Sequence, residues 1–318
     1  MSFIYFIGID VSKNTFDMAC HGTPRQAVHC FANTPEGHTA FLKALAEQLP
    51  QALVVLESTG GYETALIAAL LAHDIAVHRA TPLQAKHFTR SLRLAGKTDR
   101  LDAVALARYG AERHKELALC VPADAVQTQL RDCLARRADL VAMRVAEQNR
   151  LQHPRYATLK ASIEAVLETL AQQIAGLEAR IAAVIEQSPE LTDKMAVLTD
   201  VPGIGSQTAA TLLGLMPELG QLTRRQAASL AGLAPHPRDS GLSQGYRRVT
   251  GGRAAVKRAL YMAAMAAARF HPGLKAFYQR LIANGKKKMV ALTAVMRKLI
   301  TILNAKLRDA ALAQQHGR

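Results

Sequence analysis

The sequence has few residues that could form disulfides or a transition-metal site. Its four cysteines, Cys20, Cys30, Cys120 and Cys133, occur singly, without a CxxC pair or Cys/His ligand spacing. Neither a disulfide framework nor a structural zinc site is therefore predicted. The eleven histidines are scattered as well, and none of them pairs at the helical or hairpin spacing of a metal site.

Long apolar runs are also missing. The N-terminal run MSFIYFIGI is closed by Asp10 and is only about as long as a buried strand. No uncharged run elsewhere approaches the ~18 residues of a membrane span, so we expect no signal peptide, no transmembrane helix and no membrane partner. With 318 residues, of which 49% are apolar, the chain can still bury a sizeable core.

The last third of the chain is poor in acidic residues. Residues 1–200 hold 21 Lys+Arg and 22 Asp+Glu, whereas residues 201–318 hold 19 and 3, so the net charges are −1 and +16. A field of this size favours a polyanion, and the spread of basic residues over several elements favours nucleic acid over a membrane surface. A solubilising basic tail is the alternative, which the near absence of acids makes the weaker hypothesis.

Residues 1–120 are predicted to form an α/β catalytic domain. FIYFIGID indicates a strand, TFDMACHG and AVHCFAN a hairpin, and TPEGHTAFLKALAEQ a helix capped by Thr34. ALVVLEST and IAVHRAT indicate buried strands around the helix YETALIAALLAHD, and a last helix starts near Asp99. The order βββαβαβα is that of the RNase H-like (RuvC-like) fold, whose first strand is central with an exposed carboxylate end.

Residues 121–190 are predicted to form a helical coiled-coil region. Asp124 and Gln127 make a capping-box pattern, and Pro154 breaks the first helix. Apolar residues then alternate steps of four and three over three heptads, a 3.5-residue period that predicts a left-handed coiled coil. They are Ile163, Leu167, Leu170, Ile174, Leu177, Ile181 and Val184. An ordinary helical hairpin is the alternative, but we prefer pairing between subunits, which would make a dimer or tetramer.

Residues 191–318 are predicted to form a mainly α-helical, basic C-terminal domain. The motif VPGIG, with Gly203 and Gly205, lies between apolar helical runs like the turn of a helix-hairpin-helix, whose glycines let backbone N–H groups approach phosphates. A plain helix–helix turn is the alternative. A loop, APHPRDSGLSQGYRRVTGG, and two or three Ala-rich helices broken at His271-Pro272 and Asn284-Gly285 follow.

Four acidic residues lie at the ends of predicted elements. Asp10 ends the first strand and Glu57 the fourth, while Asp99 and Asp102 are three apart near a helix N-terminus and share one face. Four such oxygen ligands suit Mg²⁺ or Mn²⁺, which can bind the attacking and leaving oxygens of a phosphodiester. Their placement favours phosphoryl transfer over four unrelated surface carboxylates.

The combination of motifs resembles a known family. GIDVSK, LESTGGY and KTDRLDA, followed by a helical insert, VPGIG and AGLAPHPRDSG, is similar to the DEDD transposases of bacterial insertion sequences, the group known as bridge-RNA-guided recombinases. The resemblance runs from about residue 5 to about residue 310. It implies a RuvC-like tetrad of Asp10, Glu57, Asp99 and Asp102, DNA as substrate and a structured guide RNA as partner. We accordingly expect a cytoplasmic, nucleoid-associated enzyme.

The same resemblance implies that Ser240 is a nucleophile. From its residues alone, it would be a turn serine before a glycine. Three arginines within ten residues could bind a scissile phosphate: Arg238, Arg247 and Arg248. With Gly203, Gly205, Arg253 and Lys257, these arginines make up the predicted nucleic-acid-binding residues. A serine needs activation, and one hypothesis is that metal held by the carboxylate domain supplies it in a composite site.

Three functions are compatible with the sequence. The leading hypothesis is a recombinase that cuts and rejoins DNA through a covalent serine–phosphate link. A nuclease of the Holliday-junction-resolvase type, with water as nucleophile, would need only the carboxylates. A non-catalytic nucleic-acid-binding protein would need none of these residues for chemistry.

Overall fold

The computed structural model describes residues 3–22, 28–92, 99–122, 124–236, 239–240, 243–245 and 248–316, with only the backbone at 99–100, 239–240, 243–244 and 315–316. The chain divides into two compact units, Met1–Ala123 and Asp124–Arg318. In these described ranges, no helix is long and apolar enough to cross a membrane. The division into domains 1–120, 121–190 and 191–318 stays a prediction.

The first unit contains a five-stranded mixed sheet. Its strands are β1 (Tyr5–Val11), β2 (Thr15–Cys20), β3 (Val28–Ala32), β4 (Ala52–Glu57) and β5 (Ala76–Ala80). The spatial order is β3-β2-β1-β4-β5, with β1 antiparallel to β2 and parallel to β4. The first strand is therefore central, as predicted, and the topology is compatible with a RuvC-like domain.

Helices cover both faces of this sheet. They are α1 (Pro35–Ala44), α2 (Thr64–Leu71), α3 (Pro82–Ser91) and α4 (Asp99–Arg113). Side chains alternate between the two faces of a strand, so Ile7 and Ile9 of β1 enter the core that contains α1 and α2. Phe6 packs into the other core, to which α3 and α4 contribute.

The sequence-based prediction missed helix α3. The observed order is βββαβαβαα rather than the expected βββαβαβα. The helix begins with a capping box, in which the Thr81 hydroxyl accepts from the Gln84 N–H and the Gln84 side chain accepts from the Thr81 N–H. This pattern, with Pro82 at the first helical position, was a readable start signal.

The second unit begins with a long helical hairpin. Helices α5 (Ala125–Gln152) and α6 (Lys160–Glu186) pack against each other within the chain. The predicted heptad residues of α6 are all buried or half-buried, and Arg137 Nε donates to Glu178 Oε1 at 2.9 Å between the helices. Pairing within the chain is thus observed, whereas a left-handed supercoil and pairing between subunits stay predictions.

One half of the predicted capping box at α5 is wrong. The Asp124 carboxylate caps the helix as expected, accepting from the N–H groups of Val126 and Gln127. The Gln127 side chain, however, donates to the carbonyls of Leu213 and Gly214 at 2.9 Å each. It therefore satisfies backbone acceptors elsewhere in the unit instead of completing the cap.

The rest of the second unit is mostly helical. Its helices are α7 (Pro189–Thr199), α8 (Ser206–Leu215), α9 (Arg224–Leu230), α10 (Ala254–Phe270), α11 (Pro272–Ala283) and α12 (Lys288–His316). The breaks predicted at His271-Pro272 and Asn284-Gly285 are confirmed. One hydrophobic core joins the base of the hairpin to these helices, since it extends from Leu130 to Leu307.

The segment predicted as a loop contains short strands. They are β6 (Pro235–His236), β7 (Asp239–Ser240), β8 (Ser243–Gln244) and β9 (Arg248–Val249). The pairs β6–β9 and β7–β8 are antiparallel. Strands of two residues leave no period-two pattern, so the sequence carried no signal for them.

Candidate active site

The ends of β1 and β4 bring two of the predicted carboxylates together. The two strands are parallel and their register includes the pair Ile9–Leu56. Asp10 and Glu57 each follow this pair by one residue, so they occupy equivalent positions on neighbouring strands. Because such positions face the same side of a sheet at a strand spacing of about 4.8 Å, the two side chains leave the sheet side by side.

Gly8 allows helix α4 to cover the sheet face from which Asp10 and Glu57 project. A Cβ atom at Gly8 would lie 2.1 Å from the Ala103 carbonyl oxygen and 2.2 Å from the Ala107 nitrogen. Helix α4 therefore packs its backbone directly on β1, which only glycine permits. Asp10 is two residues beyond Gly8 and so faces the same side, where α4 lies.

Helix α4 begins at the end of the sheet that carries Asp10 and Glu57. Its later residue Gly110 lies beside Val55 and Phe6, whereas Ala103 lies beside Gly8. The helix thus runs antiparallel to β1, and its first turn contains Asp102 and begins with Asp99. The side chain of Asp99 is outside the described part of the structure.

The elements that carry Asp10, Glu57 and Asp102 meet at one edge of the sheet, but the tetrad as a metal site stays a prediction. Among the described residues, no group of three or more His, Cys, Asp or Glu side chains could hold a metal ion. Asp10 and Glu57 are partly exposed. What the backbone supplies is convergence of the strand ends and the helix N-terminus on one face.

A buried carboxylate that sequence reasoning missed organises the loop after Glu57. Glu63 is only 1% exposed, and its Oε2 accepts from the N–H groups of Thr59 at 3.2 Å and Gly61 at 3.0 Å. Its Oε1 accepts from the Ser58 hydroxyl at 3.3 Å and lies 3.5 Å from a guanidinium nitrogen of Arg79. Glu63 therefore fixes the segment that connects Glu57 to α2.

The environment of Glu63 keeps its side chain ionised. Burial alone would raise its pKa, but the hydrogen bonds from its own N–H and from Thr59 and Gly61, together with the charge of Arg79, outweigh this and lower the pKa. The signal in the sequence was weak, because Glu63 reads as an ordinary helix-start acid.

Asn33 joins the loops that follow Asp10 and Glu57. Its Nδ2 donates to the Ser12 carbonyl at 3.0 Å and to the Tyr62 carbonyl at 3.1 Å. Its Oδ1 is 2.8 Å from Nε2 of His38, a buried side chain whose pKa is lowered by desolvation. One amide side chain thus holds backbone from both carboxylate-bearing segments.

Ser240 ends strand β7 and is the register partner of Ser243 in β8. The structure describes the backbone of Ser240 but not its side chain. Its role as nucleophile stays a prediction.

Glycines close the base of the segment that carries Ser240. A Cβ at Gly252 would lie 2.1 Å from the Gly232 nitrogen, and one at Gly232 would lie 2.3 Å from the Gly251 carbonyl oxygen. All three glycines have positive φ, a conformation that side chains disfavour. The Arg253 N–H also donates to the Leu230 carbonyl at 2.8 Å, so the two ends of the segment from 230 to 253 meet.

The predicted nucleic-acid-binding residues have different environments. Arg248 is exposed in β9 and Lys257 is half-buried in the first turn of α10. The Arg253 guanidinium donates to both Glu218 oxygens at 2.7 and 2.8 Å and to the Leu215 carbonyl at 2.8 Å, so it holds the protein together in this structure. Arg238 and Arg247 lie outside the described residues.

The two glycines of VPGIG also differ. Gly203 has φ 99°, and a Cβ there would lie 2.6 Å from the Ala267 nitrogen of α10, so internal packing accounts for this glycine. Gly205 precedes α8, and a Cβ there would meet nothing within 4 Å. The segment does form a turn between packed helices α7 and α8, while its contact with phosphate stays a prediction.

Comparison with known proteins identifies the family. A DEDD transposase model, described as "Transposase", matches residues 7–154, and a second model, "Transposase IS116/IS110/IS902 family", matches residues 195–279. The pilin gene-inverting protein of Moraxella lacunata is 30% identical over 312 residues, 96% of either chain. The chain belongs to the IS116/IS110/IS902 transposase family. This transposase is therefore an enzyme of DNA recombination, and the resemblance seen in its motifs is confirmed.

Other relatives of this transposase include a second gene-inverting protein and a protein of an insertion element. The pilin gene-inverting protein of Moraxella bovis is also 30% identical over 312 residues and 96% of either chain. The insertion element IS110 uncharacterized 43.6 kDa protein of Streptomyces coelicolor is 37% identical over 150 residues, 46% of this chain and 36% of that protein.

Proposed function

We propose that this transposase cleaves and rejoins DNA strands by way of a covalent link to Ser240, with Asp10, Glu57, Asp99 and Asp102 as a metal-binding tetrad. The observation that supports the tetrad is the packing of α4 on Gly8, whereas the link to Ser240 follows from the family resemblance. This packing directs the first turn of α4 to the end of the sheet where Asp10 and Glu57 lie side by side.

The donor set fits a hard divalent ion. Carboxylate oxygens are the ligands that Mg²⁺ and Mn²⁺ prefer, and an ion held by two or three of them keeps open positions for phosphate oxygens. When bound, the ion would supply electrostatic stabilisation of the charge that develops on the phosphate. Asp10, Glu57, Asp99 and Asp102 would supply these carboxylate oxygens.

The serine chemistry keeps the energy of the broken phosphodiester bond in a serine–phosphate ester. The Ser240 Oγ attacks phosphorus and forms a serine–phosphate ester, while the bond from phosphorus to one strand oxygen breaks and the serine proton passes to that oxygen. Attack by a second strand hydroxyl reverses these steps and releases Ser240 without an external energy source. The Moraxella relatives support rejoining, because a protein that inverts a gene must reconnect the cut strands.

DNA and a structured guide RNA are the proposed partners. The charge of +16 on residues 201–318 supports binding of nucleic acid. The guide RNA follows from the family resemblance alone. Exposed Arg248 and the N-terminal turn of α10, with Lys257, are the described positions that we assign to phosphate contacts, together with the turn at Gly203 and Gly205.

We further propose that the hairpin of α5 and α6 mediates a homo-oligomer. Its part distant from the main core exposes large apolar side chains, which in water favour association. They are Met143, Val145, Leu159 and Val166. Light scattering after gel filtration should give a dimer or tetramer, and replacing Met143 and Val166 with Gln should shift it toward monomer.

The adduct experiment tests the catalytic proposal. Full-length protein is incubated with Mg²⁺, labelled DNA containing the element ends, and RNA transcribed from the DNA that flanks the coding region. After denaturation, protein-linked label is expected for wild type and for Ser243→Ala, the matched control in the same hairpin. Ser240→Ala should give none. Cleaved DNA without linked protein, at equal rates in both serine variants, would favour the water-using nuclease.

The carboxylates are tested in the same assay. Asp10→Asn and Asp102→Asn keep the side-chain shape but remove a charged oxygen ligand, so both should abolish cleavage and adduct. Their affinity for nucleic acid, measured by fluorescence anisotropy in Ca²⁺, should remain near wild type. Cleavage by either variant at the wild-type rate would remove that residue from the tetrad.

A further inference from the structure

Two polar side chains outside the predicted tetrad bind the loops that follow Asp10 and Glu57. Asn33 binds the carbonyls of Ser12 and Tyr62, and these lie two residues after Asp10 and five residues after Glu57. Glu63 binds the backbone between Glu57 and α2. We call Asn33 and Glu63 the loop clamp.

The hydrogen bonds of Glu63 are directed to the loop and not to its own helix. Glu63 is the N-terminal cap residue of α2, yet its side chain makes no capping bond to that helix. It turns back to the N–H groups of Thr59 and Gly61 instead. Gly60 and Gly61 have φ 72° and 105°, and this left-handed backbone lets N–H groups converge on one carboxylate oxygen.

Stability alone is a poor reason for this arrangement. Burying a carboxylate is costly unless hydrogen bonds and a counter-charge offset the lost hydration, and an apolar replacement is often as stable. At Glu63, two N–H groups, hydroxyl groups and Arg79 do offset it. What a fully bonded buried carboxylate adds is a defined backbone geometry, and here the bound backbone starts at Thr59, two residues after Glu57.

Glu63 is also poorly placed to be a metal ligand itself. Both of its oxygens already accept hydrogen bonds from the loop, and the residue is 1% exposed. Glu57 is partly exposed at the end of its strand. The buried acid therefore shapes the loop, and the accessible acid faces the site.

We propose that the loop clamp, Asn33 and Glu63, consists of positioning residues that fix Asp10 and Glu57 in the geometry needed to bind a divalent ion. This inference rests on the proposed function, since it assumes that Asp10 and Glu57 are metal ligands. Groups that orient metal ligands typically change metal affinity or activity by about 10–100-fold when they are replaced.

The test measures metal binding directly as well as cleavage. Mn²⁺ affinity of the full-length protein is obtained by titration with detection of free Mn²⁺ by electron paramagnetic resonance, and the Mg²⁺ concentration for half-maximal cleavage is measured in parallel. Glu63→Ala and Asn33→Leu should each weaken Mn²⁺ binding about 10-fold and raise the half-maximal Mg²⁺ concentration similarly. Cleavage at saturating Mg²⁺ should recover to within about threefold of wild type.

The conservative variant Glu63→Gln supplies a graded rescue. Its amide oxygen can still accept from Thr59 and Gly61, but it cannot pair with the Arg79 charge, so its Mn²⁺ affinity should fall between wild type and Glu63→Ala. The matched control is Glu47→Gln, the same change at an exposed acid of the same unit, which should bind Mn²⁺ like wild type. A merely structural role would lower the folded fraction but leave the half-maximal metal concentration unchanged.

The outcomes separate this inference from the proposed function. If Glu57→Gln loses Mn²⁺ binding and cleavage while folded Glu63→Gln and Asn33→Leu bind Mn²⁺ like wild type, the loop clamp is overturned and the tetrad stands. If Glu57→Gln itself keeps wild-type Mn²⁺ affinity and cleavage, the tetrad fails and the clamp falls with it. Should Glu63→Ala not fold, Glu63→Gln and Asn33→Leu decide between these results.

Discussion

Replacing Gly8 with Ala tests how closely catalysis depends on the position of α4 against β1. The added Cβ would lie 2.1 Å from the Ala103 carbonyl oxygen, whereas ordinary contact begins at 3.4 Å. The obstacle is helix backbone, so no side-chain rotation can relieve it and α4 must move by about 1.3 Å relative to β1. Displacement on the order of 1 Å at a catalytic site can cost about 100-fold in rate.

We therefore expect Gly8→Ala to lower strand cleavage by about 100-fold or more. Overpacking should also lower the free energy of unfolding by about 1–3 kcal/mol. The assays are single-turnover cleavage with excess protein and guanidinium denaturation followed by circular dichroism. Nucleic-acid affinity should change little, because most of the excess positive charge lies in residues 201–318.

Two further glycines give a graded control series. The added Cβ of Gly110→Ala would lie 2.9 Å from the Val55 Cγ2, a side-chain atom that can move. Its losses in cleavage rate and in free energy of unfolding should therefore be smaller than those of Gly8→Ala. Gly176→Ala meets nothing within 4 Å in helix α6 and should gain up to about 1 kcal/mol from helix propensity. Wild-type cleavage by Gly8→Ala, or equal losses at Gly8 and Gly176, would refute the reasoning.

Three other predictions concern the glycines near Ser240, the buried carboxylate of Glu63 and the basic residues of the segment 201–318. Gly252→Ala should destabilise the protein by more than about 1–3 kcal/mol, since overpacking adds to a positive φ; thermal unfolding measures this, and a midpoint equal to that of wild type would contradict it. The pKa of Glu63 is lowered on folding, so the stability that its charge contributes is complete above the unfolded pKa of about 4.3 and is lost as the pH falls through the folded pKa. The difference in free energy of unfolding between wild type and Glu63→Gln should therefore narrow below about pH 4. An equal difference at pH 7 and pH 3.5 would contradict this prediction. Changing the exposed lysines 286–288 to Gln should reduce the slope of log affinity against log salt by about 0.7–0.9 for each phosphate that the variant no longer neutralises, and an unchanged slope would exclude these lysines from the nucleic-acid interface.

Sequence patterns indicated those parts of the fold whose signals are local. The alternation in FIYFIGID and the apolar run ALVVLE gave the central strands, and Thr34 and Asp124 cap helices where predicted. The breaks at Pro154 and His271-Pro272 are also local effects of proline. The carboxylates could be chosen because each one ends a strand or begins a helix.

The remainder depends on contacts between segments distant in sequence. Glu63 has no distinguishing neighbour pattern, because its partner Arg79 lies on another strand. Gly8 reads as one more residue of a strand until α4, nearly a hundred positions later, packs on it. Likewise, the charge boundary near residue 200 is not a boundary of the core, which contains Leu130 and Leu134 of α5.

In the hairpin of α5 and α6, the length of the helices is set separately from the packing of their base in the core. Its helices have 28 and 27 residues, about 40 Å at 1.5 Å per residue. The base is built into the main core, whereas the midsection has its own small cluster of Leu140, Leu170 and Ile174. Removing or adding seven residues in each helix would change the reach by about 10 Å and keep the same face inward. The length of this hairpin can thus change in evolution without any change in the core that its base packs into.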